Sequence, residues 1–532
     1  MRCINIAGAG LSGLSAAITL AKAGTVCNLI SAQPSERAQS VLAEGGINGA
    51  LNLMGEDDSP REHFADTMRG GADLADPGAV ADMTVQAPEI IRWLSSLGVP
   101  FNMDGGRMIQ RNFGGQKKKR TAYARSSTGK ILMSALIDET RRYEAAGLIR
   151  RYSHHSVLDL DIREGACAGL TALDSYTGEL LRFSGPVILC AGGMNGMFPG
   201  RTTGTTANTG DVTALALEKG VELANLEFIQ YHPTTVQIPN KRLLISEAAR
   251  GEGGRLYILR EGAPWYFMEE LYPELGNLMP RDVISREMVH VCARPDCGDQ
   301  VYLNLTGLPK ETWEKKLPDL REEIQHYLHL DPAREPVPVS PGIHFFMGGI
   351  LVDRAHQTNV SGLYAAGECA CQYHGANRLG GNSMLGAVYG GRVAAETALS
   401  RELSGGEPEA LGKIPPKMMS EQQVSPEQSA ALCEYLLHGL GILRSAETIQ
   451  EALDAAEGLL AADNTPLERR RIQLGRAMLC SALSRQESRG AHSRTDFPVR
   501  DDGAFQKTTV VCMEAGRLKV EFRANPGRSE DR

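Results

Sequence analysis

The stretch Gly8-Ala9-Gly10-Leu11-Ser12-Gly13 constrains this chain most, because it separates an apolar, strand-like run over residues 2 to 7 from an Ala/Leu-rich helical pattern reaching Ala23. With 58 glycines in 532 residues, three at this spacing arise by chance about 0.7 times, so the position gives the pattern its meaning. A strand, a turn without side chains and a helix, followed by a second strand over Val26 to Ser31, make a βαβ opening. Gly8 permits the tight turn, Gly10 a close approach to a pyrophosphate, and Gly13 the packing of helix on strand. The second strand ends in Ser31, where a ribose-binding acid is expected, so a nicotinamide dinucleotide is not the first expectation.

A chain of 532 residues exceeds what one hydrophobic core serves, and two or more domains follow. A net charge of -8 and a pI near 5.9 speak against a nucleic-acid surface. The basic run Lys117-Lys118-Lys119-Arg120 reads as a solvated face that could also draw an anion inward. Eleven cysteines without a CxxC pair leave no zinc or iron-sulfur ligand set, and no metal is expected. No 18-residue apolar stretch and no signal-like N-terminus are present, so the chain is expected in the cytoplasm, or on the cytoplasmic face of a membrane through a partner.

Helical spacing recurs over 80 to 97 and 129 to 146, framing a Gly-rich basic loop. Residues 154 to 190 alternate like a small sheet and end in the apolar run Pro186 to Cys190. From 226 to 342 the texture turns irregular and Pro-punctuated, as in an inserted domain, and strand-then-turn patterning returns at Gly362 to Glu368. Helical periodicity fills 425 to 488, and a polar tail with one strand-like run, Thr508 to Cys512, closes the chain.

Arg37 to Asn48 is similar to the flavin loop of succinate dehydrogenase and fumarate reductase flavoproteins, in which Ser or Thr also replaces the ribose acid. The resemblance continues through Arg111-Asn112-Phe113-Gly114-Gly115, Thr209-Gly210-Asp211, His232-Pro233-Thr234, Arg250 to Gly254, Pro280-Arg281-Asp282, His344 to Gly349 and His374 to Ser383, and recurs at Ser488 to His492. It implies an α/β fold: a Rossmann-like FAD-binding domain (1-225 and 343-405), an inserted α+β capping domain (226-342), a C-terminal helical domain (406-488) and a tail (489-532). It also implies FAD held by Gly8, Gly10, Gly13, Ser31, Gly45, Gly46, Asp211, Glu368, Asn382 and Ser383.

The resemblance further implies a C4 dicarboxylate bound by His232, Ser246, His344 and Arg378 against Phe113, with hydride exchange at flavin N5. Donor-rich ends suit two carboxylates, and the planar Arg378 guanidinium matches one of them bidentately. Proton handling falls by resemblance to Arg281, relayed through Glu247 and Arg250. Glu247 and Arg250 are i, i+3 neighbours if their segment is helical. A guanidinium resists deprotonation, so Arg281 is also read as a fixed charge on the developing carbanion. Taken singly, each residue has a structural alternative: a core histidine for His232, a helix cap for Ser246, a strand end for His344, an ion pair for Arg378.

Two other readings stay open. L-aspartate oxidases share these motifs but carry an acid where this chain has Phe113, which cannot pair with a substrate ammonium. A non-catalytic flavin module for electron transfer or redox sensing would have lost Arg281, His344 or Arg378, and all three are present. Several positions depart from the family. Gln39 stands where covalent members carry the flavin-linking histidine, so FAD is expected to be non-covalent and fumarate reduction favoured. Glu44 replaces a usual Gln and, if ionised, would oppose an anionic reduced flavin and push the same way. Ala32 and Ser126 replace a common Lys and Asp. Electrons are expected to come from an iron-sulfur subunit, a quinone-linked partner or a soluble donor.

Overall fold

The computed structural model describes residues 3–125, 127–401, 405–415 and 423–525, so Met1, Arg2 and Ser126 lie outside the described residues. The opening βαβ unit builds the centre of a five-stranded parallel sheet, in the order Leu363–Ala365, Val187–Leu189, Cys3–Ala7, Val26–Ser31 and Ile149–Ser153. Helices Leu11–Lys22, Pro77–Ser96, Thr128–Ala145 and Asn382–Ser400 bury their apolar faces in the core on this sheet. Two glycines have direct steric reasons. At Gly8 (φ 122°) a Cβ would stand 2.0 Å from the Cys190 carbonyl oxygen, and at Gly13 a Cβ would stand 1.8 Å from that of Gly8. The turn can therefore pass under the helix only without side chains.

The alternating stretch forms the antiparallel strands His155–Arg163, Ala166–Asp174 and Glu179–Ser184, joined by Glu409–Lys413. The Pro-punctuated region is more regular than its texture suggests. Its six-stranded sheet runs Lys241–Leu244, Ile229–Ile238, Val337–Phe346, Cys297–Asn304, Arg255–Arg260, Ala263–Trp265, over a core of its own that includes Ile245, Ile258, Phe267, Ile284 and Val339. Strand Val337–Phe346 runs past residue 342, its Ile343 and Phe346 lying in the core that also holds Val187, Leu189 and Ala365 of the parallel sheet, and Phe113 packs into the core of the inserted sheet.

Three C-terminal helices, Pro426–Leu440, Ala446–Leu460 and Pro466–Ser484, each begin at a side-chain cap on Ser425, Ser445 or Thr465. Besides the short strand Ser493–Arg494, the described tail holds a second long strand beyond the one its sequence suggests. Thr508–Glu514 and Arg517–Arg523 form a hairpin that extends the sheet of Leu223–Ala224, tying the tail to the first half of the chain. The basic run also departs from a purely solvated face: Arg120 is fully buried, paired with Asp58 and Asp66 at 2.9 Å each. Among the described residues no helix is long and apolar enough to cross a membrane.

Candidate active site

One cavity runs from the glycine turn to the inserted sheet. Its walls include Gly8, Gly10, Ser31, Gly45, Gly46, Asp211, Glu368 and Ser383 toward the nucleotide-like end, and Phe113, His232, Ser246, Glu247, Arg281, His344 and Arg378 toward the other. Gly13, Arg250 and Asn382 stand behind these walls. Asn382 is fully buried, and its carboxamide accepts from Asn48 and donates to Thr67 Oγ1. Both carboxylate oxygens of Asp211 are taken by Arg471, at 2.6 and 2.9 Å, which fixes the start of helix Asp211–Glu218.

The cavity suits a flavin dinucleotide by what it leaves out. A Cβ on Gly45 would meet the Phe113 ring at 2.9 Å, one on Gly193 the Glu368 carboxylate at 2.5 Å, and one on Gly10 the Ser40 hydroxyl at 3.3 Å. The gap above the first helix is thus kept free for a pyrophosphate at its N-terminus. Burial pushes the Glu368 carboxyl up to about 7, against the opposing pull of the Phe346 N–H and Arg378. Glu44 also lines the cavity. Burial and the nearby Glu323 push its carboxyl well above the usual range despite Arg111 and the Ser246 hydroxyl, which favours its neutral form over the ionised one that would repel a reduced flavin.

At the other end, Glu247 organises the charges. Its Oε2 accepts from Arg281 Nε at 2.9 Å and Nη2 at 2.6 Å, its Oε1 accepts the Gly114 N–H at 2.9 Å, and Arg250 Nη2 lies 3.4 Å away. Helix Glu247–Gly251 supplies the i, i+3 relation. Burial works to raise the Glu247 carboxyl, but Arg281 and Arg250 outweigh it and hold it below the ordinary range. Ser246 occupies the N-cap position of that helix without capping it, and its hydroxyl turns to the cavity beside the Glu44 carboxyl.

His232 and His344 lie with ring centroids 5.1 Å apart, and burial together with Arg281 holds both well below the usual imidazole range, hence neutral. Arg378 sits 4.3 Å over the Phe345 ring, and its Nε has no hydrogen-bond partner. Burial and the Arg281 charge lower its pKa well below the guanidinium norm. Sequence reasoning missed Gln230, whose Oε1 accepts from Arg281 Nη1 at 3.0 Å and Arg378 Nη2 at 2.9 Å and so sets the spacing of the two guanidiniums. Its signal was its place two residues before His232 on strand Ile229–Ile238.

Comparison with known proteins decides the family. A model described as "FAD binding domain" matches residues 4–384, and one described as "Fumarate reductase flavoprotein C-term" matches 467–530. The chain belongs to the succinate dehydrogenase and fumarate reductase flavoprotein family. A succinate dehydrogenase flavoprotein subunit of Bacillus subtilis is 37% identical, over 96% of this chain and 93% of its own. A fumarate reductase flavoprotein subunit of Mycobacterium tuberculosis is 35% identical, over 98% and 96%. An L-aspartate oxidase of Streptomyces coelicolor is a further relative at 32%, over 96% and 91%. Among solved structures, a mutant quinol fumarate reductase flavoprotein of E. coli superposes with a TM-score of 0.85 at 29% identity, covering 100% of this chain and 98% of that one. As a family flavoprotein the chain is an FAD-dependent oxidoreductase with an α/β FAD-binding fold.

Proposed function

We propose that this flavoprotein interconverts fumarate and succinate, with fumarate reduction the favoured direction. The observation that carries the reading is the cavity joining the glycine turn to the guanidiniums of Arg281 and Arg378, with Arg250 behind them and one ionised carboxylate, Glu247, paired to Arg281 and Arg250. That cluster is short of negative charge by about what a dicarboxylate brings. His232, His344, Ser246 and Arg378 offer donors to its carboxylates, and Phe113 gives the carbon chain an apolar wall. Bound FAD supplies the hydride donor or acceptor at N5. Arg281, gripped by Glu247 and Gln230, stabilises negative charge on the adjacent carbon and delivers the proton there, and Glu247 and Arg250 restore it. Residues 226-342 act as a cap on the FAD-binding domain of 1-225 and 343-405, excluding water from the reaction. The helical domain (406-488) and the tail (489-532) brace it.

The Gln39 carboxamide accepts the Thr205 N–H and cannot form a histidyl link, so FAD is held non-covalently. An unattached flavin is the weaker oxidant, and for a two-electron couple about 30 mV corresponds to about 1.4 kcal/mol. A modest difference in potential therefore favours reduction tenfold or more. Electrons arrive through an iron-sulfur or other electron-transfer partner, which would keep the protein in the cytoplasm or at the cytoplasmic membrane face. Phe113 gives a substrate ammonium nothing to pair with, which disfavours aspartate.

One experiment tests these points. The dye-reduced holoprotein should be reoxidised by fumarate faster than the oxidised protein is reduced by succinate at matched driving force, with aspartate inert. Acid precipitation should leave the pellet colourless. A yellow pellet refutes non-covalent FAD, faster succinate oxidation refutes the direction, and equal turnover of aspartate refutes the substrate.

A further inference from the structure

Thr203 lies in the Thr-rich loop that follows the Gly192 turn, lines the cavity, and places its hydroxyl 2.7 Å from Nδ1 of His344. The only other acceptor for that hydroxyl proton among its described contacts is the Ile343 carbonyl at 3.5 Å. That carbonyl already receives the Thr203 backbone N–H at 2.9 Å. Among its described contacts Nδ1 is thus the best-placed acceptor for the hydroxyl proton. We propose that Thr203 is a positioning residue that fixes the tautomer of His344, with the ring proton on Nε2, where it donates to a carboxylate of the substrate. The inference rests on the dicarboxylate reading above.

The neighbouring histidine shows why a nearby threonine is not enough. Thr234 Oγ1 lies 3.4 Å from His232 Nδ1, but its proton goes to the Ile245 carbonyl at 2.8 Å, so Thr234 cannot donate to the ring. The two rings face one another at 5.1 Å, yet only His344 has its Nδ1 lone pair occupied by a donor. The state of its other nitrogen decides whether a carboxylate meets an N–H or a lone pair. Both rings are held neutral by burial and the surrounding arginines, so each has a single proton to place. Without Thr203, the His344 ring would exchange between a donor and an acceptor facing the same anion.

The test is the FAD-loaded protein with 15N-labelled histidine, its His344 signals identified by their loss in His344→Gln. Two-bond proton–nitrogen correlations should show the Nε2–H form in the wild type and in Thr203→Ser, and a mixed or Nδ1–H form in the isosteric Thr203→Val. In steady state, Thr203→Val should raise the KM for fumarate roughly tenfold with kcat within about threefold, and Thr203→Ser should restore it. An Nδ1–H pattern in the wild type, or an unchanged pattern or KM in Thr203→Val, overturns the proposal. Equal damage from Ser and Val also overturns it, since that marks a packing role. A wild type that never turns over fumarate defeats the substrate reading, while the nitrogen spectrum still judges the tautomer.

Discussion

Two groups of buried arginines in this protein carry opposite designs. Arg444, Arg485, Arg489 and Arg494, at the junction of the C-terminal helices and the tail, are saturated. Arg485 binds Glu227, Glu487, the carbonyls of Phe505 and Lys507, and Thr509; Arg489 binds Glu487 and Asp502; Arg494 binds Asp496; Arg444 takes carbonyls and His492. No guanidinium nitrogen of these four lacks a partner. At the cavity, by contrast, Arg250 and Arg281 share Glu247 while Arg378 bonds Gln230, and Arg378 Nε and two nitrogens of Arg250 have no hydrogen-bond partner. The same side chain under the same burial is a strut where its donors are matched and leaves donors free, as the proposed receptor needs, where they are not.

The comparison breaks first at Arg281. Arg281→Gln should lower turnover roughly 10³-fold, because the group that handles the proton and the developing charge is gone, while FAD absorbance in the purified protein stays near stoichiometric. Turnover of fumarate like that of the wild type would contradict the assignment.

In the saturated cluster the cost should fall on folding instead. Arg485→Met strands Glu227 in the interior and leaves Glu487 with Arg489 alone, and the expected loss is about 3–5 kcal/mol of stability, read as a fall in Tm, with the KM of the surviving enzyme unchanged. A raised KM at normal Tm would show that the two clusters are not separate in function. Arg378→Ala should do the reverse. It removes donors worth about 1.5–3 kcal/mol to a bound carboxylate, raising KM by roughly 10 to 100-fold, and it relieves the like charge beside Arg281, so Tm should hold or rise. A clear fall in Tm would mean that Arg378 is a strut after all.

Much of the proposed receptor was legible in the sequence, because each of its residues sits in a short motif with its own chemistry: His232 before Pro233-Thr234, Arg281 after Pro280, Arg378 beside Gly380 and Gly381. Their convergence was not legible. Gln230 reaches Arg281 and Arg378 across separations of 51 and 148 residues, and nothing local marks its oxygen as the shared acceptor. Arg120 looked like part of a solvated run because its neighbours are lysines. Its partners Asp58 and Asp66 come from a distant segment and helix, and pairing of Thr121–Ala122 with the flavin-loop strand draws it inward. The second tail strand carries a period-two signal, Leu518, Val520 and Phe522 between charged residues, that the polarity of the tail concealed. Domain-scale texture read the six-stranded sheet as irregular because prolines in its loops and inside its strands, Pro233, Pro264, Pro338 and Pro341, outweighed the alternation of the strands.

The smallest expected effect sharpens the charge count at the cavity. Glu368 could in principle balance Arg378, but burial raises its carboxyl from 4.5 to about 7. A carboxyl with a raised folded pKa contributes stability that is fully present below its unfolded value and is lost as pH rises through the folded value. In flavin-free protein its contribution should therefore decline between about pH 4.5 and 7, by at most about 3 kcal/mol, and level off above. Melting Glu368→Gln beside the wild type at pH 5 and pH 8 isolates this slope, since the amide does not titrate. The wild type should lose a few degrees more than the variant between the two conditions. Parallel slopes would mean that Glu368 ionises at its ordinary pKa, that the cavity already holds a second negative charge, and that its guanidiniums are nearer to balance than those of an empty dicarboxylate receptor should be.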